Sequence, residues 1–209
     1  LDVDVTSATE ALGDATRDRL LAAAAEVFAE KGYQGAGVQA IARRAGFTTG
    51  AIYGRFRGKA ELLLAAIEAQ THDEFEELFA EGPPEGKVTD ILARLGSHLV
   101  TEEFDSGQAL LLEAFVAARR EPELAAMLRE VIEERCGELG TLIEKAKRDG
   151  GIDPALDSFS VVRFCHAVGL GFLLFGALGL DRPEPVPWEA LIRLLVESLA
   201  APTDDPQDG

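Results

Sequence analysis

VQAIARRAGFTTGAIYGRFRGK, residues 38 to 59, reads as two short helices around a glycine and carries five Lys or Arg with no Asp or Glu. Val38, Ile41, Ala42 and Ala45 recur at helical spacing, and the run stops at Gly46. Thr48 is placed to cap a second helix whose Ile52 and Phe56 turn toward the same core. Joined by Ala45-Gly46-Phe47-Thr48, two such helices can cross steeply, which is helix-turn-helix geometry. In that arrangement the second helix enters the major groove of double-stranded DNA by its N-terminal end while neighbouring side chains hold phosphates. Thr48, Thr49 and Gly50 occupy the entering end. Thr49 offers a hydroxyl and a methyl, Gly50 permits close backbone approach, and Tyr53 and Arg55 reach sugar-phosphate oxygens on either side. Lys59 adds an ammonium and a helix N-terminus to the same grip. Arg44, and less so Arg43, are further phosphate candidates at positions that equally suit a solvated face.

Working outward, Leu20, Ala24, Val27 and Phe28 predict a preceding helix over 17 to 31, with Thr16 as N-cap and Lys31-Gly32 as its stop. A fourth helix is expected over 59 to 80, carried by Leu62, Leu63, Ala66, Ile67, Phe75 and Phe79 and ended by the GPPEG breaker at 82 to 86. Further helices are expected near 87 to 103, 106 to 119, 122 to 149, 155 to 180 and 188 to 200. Pro122 and Pro187 suit first helical turns, and Asp149-Gly150-Gly151 suits a stop. No segment alternates with the period of two that a strand needs. The expected class is all-α, with about nine helices. Four parts follow: an acidic disordered arm at 1 to 15, a DNA-binding head at 16 to 60, a helical effector-binding and dimerisation body at 61 to 200, and an acidic tail at 201 to 209.

Charge sets the basic island apart. The 209 residues carry a formal net charge of -17, yet residues 16 to 68 hold eight bases against five acids while the rest is strongly acidic. An acidic body repels nucleic acid in general, so binding must be confined to the local basic face and depend steeply on salt. Two dispersed cysteines, Cys136 and Cys165, do not make a disulfide framework, and the acidic N-terminus is not a secretory signal; an intracellular, cytoplasmic protein is expected.

From about Thr16 to Ile67 the chain resembles the tetracycline-repressor (TetR) family of transcriptional regulators, through AAAAEVFAEKGYQG, VQAIARRAGFTTGAIYGRF and GKAELLLAAI. The resemblance implies DNA contacts at the positions of Thr48, Thr49, Gly50, Tyr53, Arg55 and Lys59, with Tyr53 and Lys59 matching recurrent phosphate contacts. It also implies a homodimer whose two heads read a roughly palindromic operator. Three departures stand out: Gly37 where a capping Ser or Thr is usual, Gly54 where a larger residue is usual, and Arg57-Gly58 in place of Pro-Ser or Pro-Asn. A glycine inside the recognition helix costs about 1 kcal/mol relative to alanine, so a soft helix is expected there.

Beyond residue 70 the resemblance fades. Ala109 to Ala118, ALLLEAFVAA, is apolar but for Glu113, and Ile91, Leu95 and Leu99 form a stripe that also holds His98. Glu113 and His98 are candidates to orient an effector in a cavity, with Phe104, Phe115 and Phe172 as apolar lining; each also fits a plain core role. Cys165 and His166 point about 100° apart on a helix and make a poor metal pair; no cofactor or metal is expected. Phe164 to Leu180 holds seventeen residues with no formal charge, near the lower limit for a membrane span, but four glycines favour a buried helix or a subunit interface. With 188 to 200, whose Leu191, Leu195 and Leu199 form one stripe, 155 to 180 would build a four-helix homodimer interface. The leading expectation is a repressor released by a small, largely apolar effector. Its rivals are a helical ligand-carrier or enzyme whose basic segment is incidental, although no catalytic constellation is visible, and a docking module built from the apolar helices.

Overall fold

The computed structural model describes residues 3–71, 88–101 and 103–200. Nine helices are found there and no strand: α1 (Val3–Gly35), α2 (Val38–Ala45), α3 (Thr49–Tyr53), α4 (Lys59–Gln70), α5 (Val88–His98), α6 (Ser106–Ala118), α7 (Pro122–Arg148), α8 (Ser158–Ala177) and α9 (Pro185–Glu197). The all-α expectation holds for the described residues. The end of the expected 59 to 80 helix, the GPPEG breaker and the acidic tail lie outside them.

Two compact units divide the chain, one made of residues 1–72 and 105–130, the other of 73–104 and 131–209. α4, α6 and the start of α7 share a unit with the helix-turn-helix. The reason is the apolar face of α4, whose Leu62, Leu63, Ala66 and Ile67 are buried and have to be covered. α1 packs against α2, α4 and α6, and α4 also packs against α6. Leu20, Val27, Phe28, Ile41, Ile52, Leu110 and Leu124 form the buried interior of this unit.

Helix α1 departs from expectation at its start. It begins at Val3 rather than Thr16, so Thr16 is an interior residue and not a cap, and residues 3–15 are helical where a disordered arm was expected. The stretch has no proline to stop a helix. The expected stop is where the backbone breaks: Gly32 adopts φ 65 and ψ 171. Only a residue lacking Cβ takes such a left-handed φ without penalty.

In the second unit, α5 packs on α9, and the Trp188 indole N–H on α9 donates to the Gly96 carbonyl at 2.8 Å. Ile91, Leu139, Ile143, Ile152, Val162, Ile192 and Val196 are among its buried core. α5 stops at His98, short of the expected 103, where both the backbone N–H (2.9 Å) and the hydroxyl (3.0 Å) of Thr101 bond the His98 carbonyl. α8 starts three residues late because Asp157 caps it, accepting from the Ser160 N–H at 2.8 Å.

Candidate nucleic-acid interface

α2 ends as its sequence demands. Gly46 sits at φ 73 and ψ 30, its N–H bonding the Arg43 carbonyl at 3.3 Å, and the Phe47 N–H reaches back to the Ala42 carbonyl at 2.9 Å. These two bonds are a Schellman closure, which satisfies the last carbonyls of α2 and turns the chain sharply. Thr48 then caps α3, its hydroxyl accepting from the Ala51 N–H at 3.2 Å. No side chain caps α2 at Gly37, as the sequence indicated.

α3 is five residues long, far below the dozen or so at which an isolated helix becomes stable. It persists because Ile52 (1% exposed) and Phe56 just beyond it are anchored in the core of the first unit. That leaves Thr48, Gly50, Tyr53 and Arg55 exposed and Thr49 half-buried, and Tyr53 has 59% of its surface open. Gly54 does not lie inside this helix. It is the C-cap, at φ -73 and ψ -14, and its N–H still bonds the Gly50 carbonyl at 3.0 Å, so it holds a helical conformation at the end of the helix rather than in its interior.

The basic residues are not equivalent. Arg44 is held by two α1 carboxylates, Glu26 at 2.8 Å and Glu30 at 2.9 Å. Its hydrogen bond to Glu30, then that to Glu26, raises the guanidinium pKa further, and the same Arg44 bond holds the Glu30 carboxyl below its ordinary value. Arg44 thus ties α2 to α1 through two carboxylates. Arg57 pairs with Glu61 at 3.2 Å, and Glu61 also accepts from the Arg57 backbone N–H at 2.6 Å, closing the turn into α4. That backbone bond is the main cause of the lowered Glu61 pKa.

Lys59 donates to the Tyr33 carbonyl at 2.7 Å and lies 4.2 Å from the Tyr33 ring centroid. An ammonium has three N–H donors, so this bond leaves two. Arg43 and Arg55, by contrast, have no carboxylate partner among the described residues. A further cation joins them from α1: Arg19 lies 4.6 Å from the Phe47 ring centroid, beside the turn. Sequence reasoning missed Arg19 because it took Thr16 to Leu20 as a helix start and not as part of a surface.

The effector candidates are split between the units. His98, Phe104 and Phe172 belong to the second unit, Glu113 and Phe115 to the first. Phe172 is buried edge-on against Trp188 (5.0 Å) and Phe175 (5.8 Å), and Phe104 packs on Gly176 of α8. His98 Nδ1 lies 3.4 Å from the Thr101 hydroxyl. Glu113 Oε1 accepts from the Tyr33 N–H at 2.6 Å. Cys136 Sγ lies 3.7 Å from His166 Nδ1 and receives a hydrogen bond from Arg163 at 3.3 Å. It lines an open cavity of about 580 Å³ between α7 and α8. Among the described residues no cluster could hold a metal ion.

α8 is long and apolar enough to cross a membrane by length and composition, with a mean hydropathy of 1.7, yet only 17% of that window is buried. Burial within its own unit, one of the two expectations for this stretch, is therefore not what is found. Phe164, Leu174 and Leu178 on α8 and its end, and Leu191, Leu194 and Leu195 on α9, are all exposed.

Residues 20–66 match the model of a family described as bacterial regulatory proteins, tetR family. The HTH-type transcriptional regulator UidR of Escherichia coli strain K12 is 30% identical over 159 residues, spanning 76% of this chain and 80% of that protein. Among solved structures, Salmonella enterica GusR superposes with a TM-score of 0.70 at 23% identity, covering 88% of this chain and 95% of that one. A TetR-family regulator from Cytophaga hutchinsonii does so with a TM-score of 0.70 at 22% identity, covering 91% and 97%.

Proposed function

This chain belongs to the tetR family of bacterial regulatory proteins and is a ligand-responsive, DNA-binding transcriptional regulator; on that premise we propose a cytoplasmic repressor that binds a palindromic operator as a homodimer. A small, largely apolar effector releases it. The observation that carries the reading is the short capped helix α3, which buries Ile52 and turns Thr48, Gly50, Tyr53 and Arg55 outward beside the cations Arg19 and Arg43. Thr48, Thr49 and Gly50 meet base edges, and Tyr53, Arg55 and Lys59 hold the backbone, joined by Arg43 and Arg19. Arg44 contributes by fixing α2 on α1.

The homodimer forms through α8 and α9. Their exposed Phe164, Leu174, Leu178, Leu191 and Leu194 give an apolar face of the kind that obligate interfaces bury. A second copy is the occupant, because a palindrome requires two heads about 34 Å apart, one helical turn of DNA. The effector, bounded by residues such as Phe104, Phe172 and His98, selects a dimer whose heads no longer fit successive grooves, and operator affinity falls by linkage.

The test is binding to a duplex selected by the protein from a randomised pool. Steeply salt-dependent binding to a palindrome, weakened about tenfold or more by Arg55→Ala and by Tyr53→Phe, is expected. Equal, weak binding to every sequence would favour a carrier or enzyme with an incidental basic segment.

A further inference from the structure

Glu113 is the single acid in the apolar run of α6, and its partner lies on α1. Where Gly32 breaks α1, the Tyr33 N–H leaves the helical ladder and is taken up by Glu113 Oε1 at 2.6 Å. The fit is close: a Cβ on residue 32 would lie 2.9 Å from that oxygen. On the other side of the Tyr33 Cα, its carbonyl accepts from Lys59 Nζ at 2.7 Å. The ring between them is buried, stacks on Phe28 with centroids 6.1 Å apart and planes at 10°, and carries the Lys59 ammonium over one face. Both peptide planes and the side chain of Tyr33 are thus pinned, one plane by α6 and the other by the first residue of α4.

We propose that Glu113 is a positioning residue for operator binding: by fixing Tyr33 it fixes the carbonyl that orients Lys59, so a side chain of α6 sets the phosphate-gripping end of α4. This rests on the DNA-binding reading above. A carboxylate makes a charge-assisted bond to an amide, roughly twice as strong as a neutral one, and so holds a carbonyl one residue away with little play. α6, α1 and α4 lie in one packing unit, so the tie is made within a single body. Lys59 has no side-chain cap ahead of it, since Gly58 is the N-cap of α4, and the Tyr33 carbonyl is the anchor its ammonium has.

The experiment uses the full-length dimer and the duplex selected by the wild type. Glu113→Ala is expected to weaken binding about tenfold, the loss typical of one hydrogen bond to a charged group, while Glu113→Gln, which keeps an acceptor, stays within about threefold. On a Lys59→Ala background Glu113→Ala should add no further loss, because both act through one contact. A purely structural role would instead lower binding by the same factor on either background, and that result overturns the proposal. Amide exchange at Tyr33 gives a readout independent of DNA: it should accelerate in Glu113→Ala, and an unchanged rate overturns the tie. Should the alanine variant not fold, Glu113→Leu, which keeps the volume, takes its place. A wild type that selects no duplex would overturn the DNA reading, while Tyr33 exchange would still decide the tie.

Discussion

Helices α3 and α8 depart from the ordinary soluble helix in opposite ways. α3 is too short to stand alone and exposes hydroxyls, a phenol and a guanidinium on a scaffold held by the buried Ile52 and Phe56. α8 is twenty residues long and exposes apolar side chains such as Phe164, with Leu178 at its end. The first surface suits a polyanion that supplies hydrogen-bond acceptors; the second suits an apolar face like itself. A surface that water alone would not select indicates the chemistry of its partner, and the two here ask for different partners.

The hardest way to break the comparison is to charge the apolar face. Leu178 and Leu194 are 72% and 64% exposed, so Leu178→Glu with Leu194→Glu should leave the fold of the chain intact while abolishing the dimer. Sedimentation should show a monomer, and operator binding should fall by about two orders of magnitude or more as the second head is lost. An unchanged dimer would place the interface elsewhere.

Neighbouring residues of α3 separate scaffold from contact. Ile52→Ala should cost about 2–4 kcal/mol of stability in urea unfolding, as expected for a truncated core side chain. Tyr53→Ala should leave stability within about 0.5 kcal/mol while weakening operator binding. Equal losses of stability would mean that Tyr53 supports the fold.

Arg44 and Arg43 offer a finer cut. Arg43→Ala and Arg55→Ala should each lower the salt dependence of operator binding by about one phosphate contact, whereas Arg44→Ala should leave the slope unchanged. A reduced slope for Arg44→Ala would return it to the interface. The same pair carries a pH signature. Glu30 titrates below its ordinary value when folded, so its contribution is fully present above the unfolded carboxylate pKa and is lost as pH falls through the depressed folded one. Urea midpoints of wild type and Glu30→Gln should therefore differ at neutral pH and converge in acid.

The smallest effect expected is at the uncapped start of α2. Gly37 has φ -97 and ψ 139, and a Cβ there meets nothing within 4 Å, so Gly37→Ser should raise stability by a few tenths of a kcal/mol by adding a cap. Thermal melting that moves downward would show that Gly37 serves another purpose.

Much of the head was legible. The bounds of α2, the turn at Gly46 and the cap at Thr48 follow from residues within a few positions of each other, and all three were found as read. Gly54 closes α3 as its C-cap in helical geometry, and the length of that helix is fixed by where Ile52 and Phe56 are anchored and not by propensity. The start of α1 was misjudged because Thr16 resembles a cap, although nothing before it prevents a helix.

By itself, the sequence determined the helices, their turns, the acidic setting of the basic island and the family to which the chain belongs. All of these rest on spacings of three or four residues or on ordered local patterns. Tertiary structure alone decided which cations stay open and which acids hold the frame. Arg44 found Glu26 and Glu30, Lys59 found the Tyr33 carbonyl, and Glu113 found the Tyr33 N–H eighty residues away. Helical periodicity places a side chain on a face; which group waits opposite depends on how separate helices pack, and no local pattern encodes that.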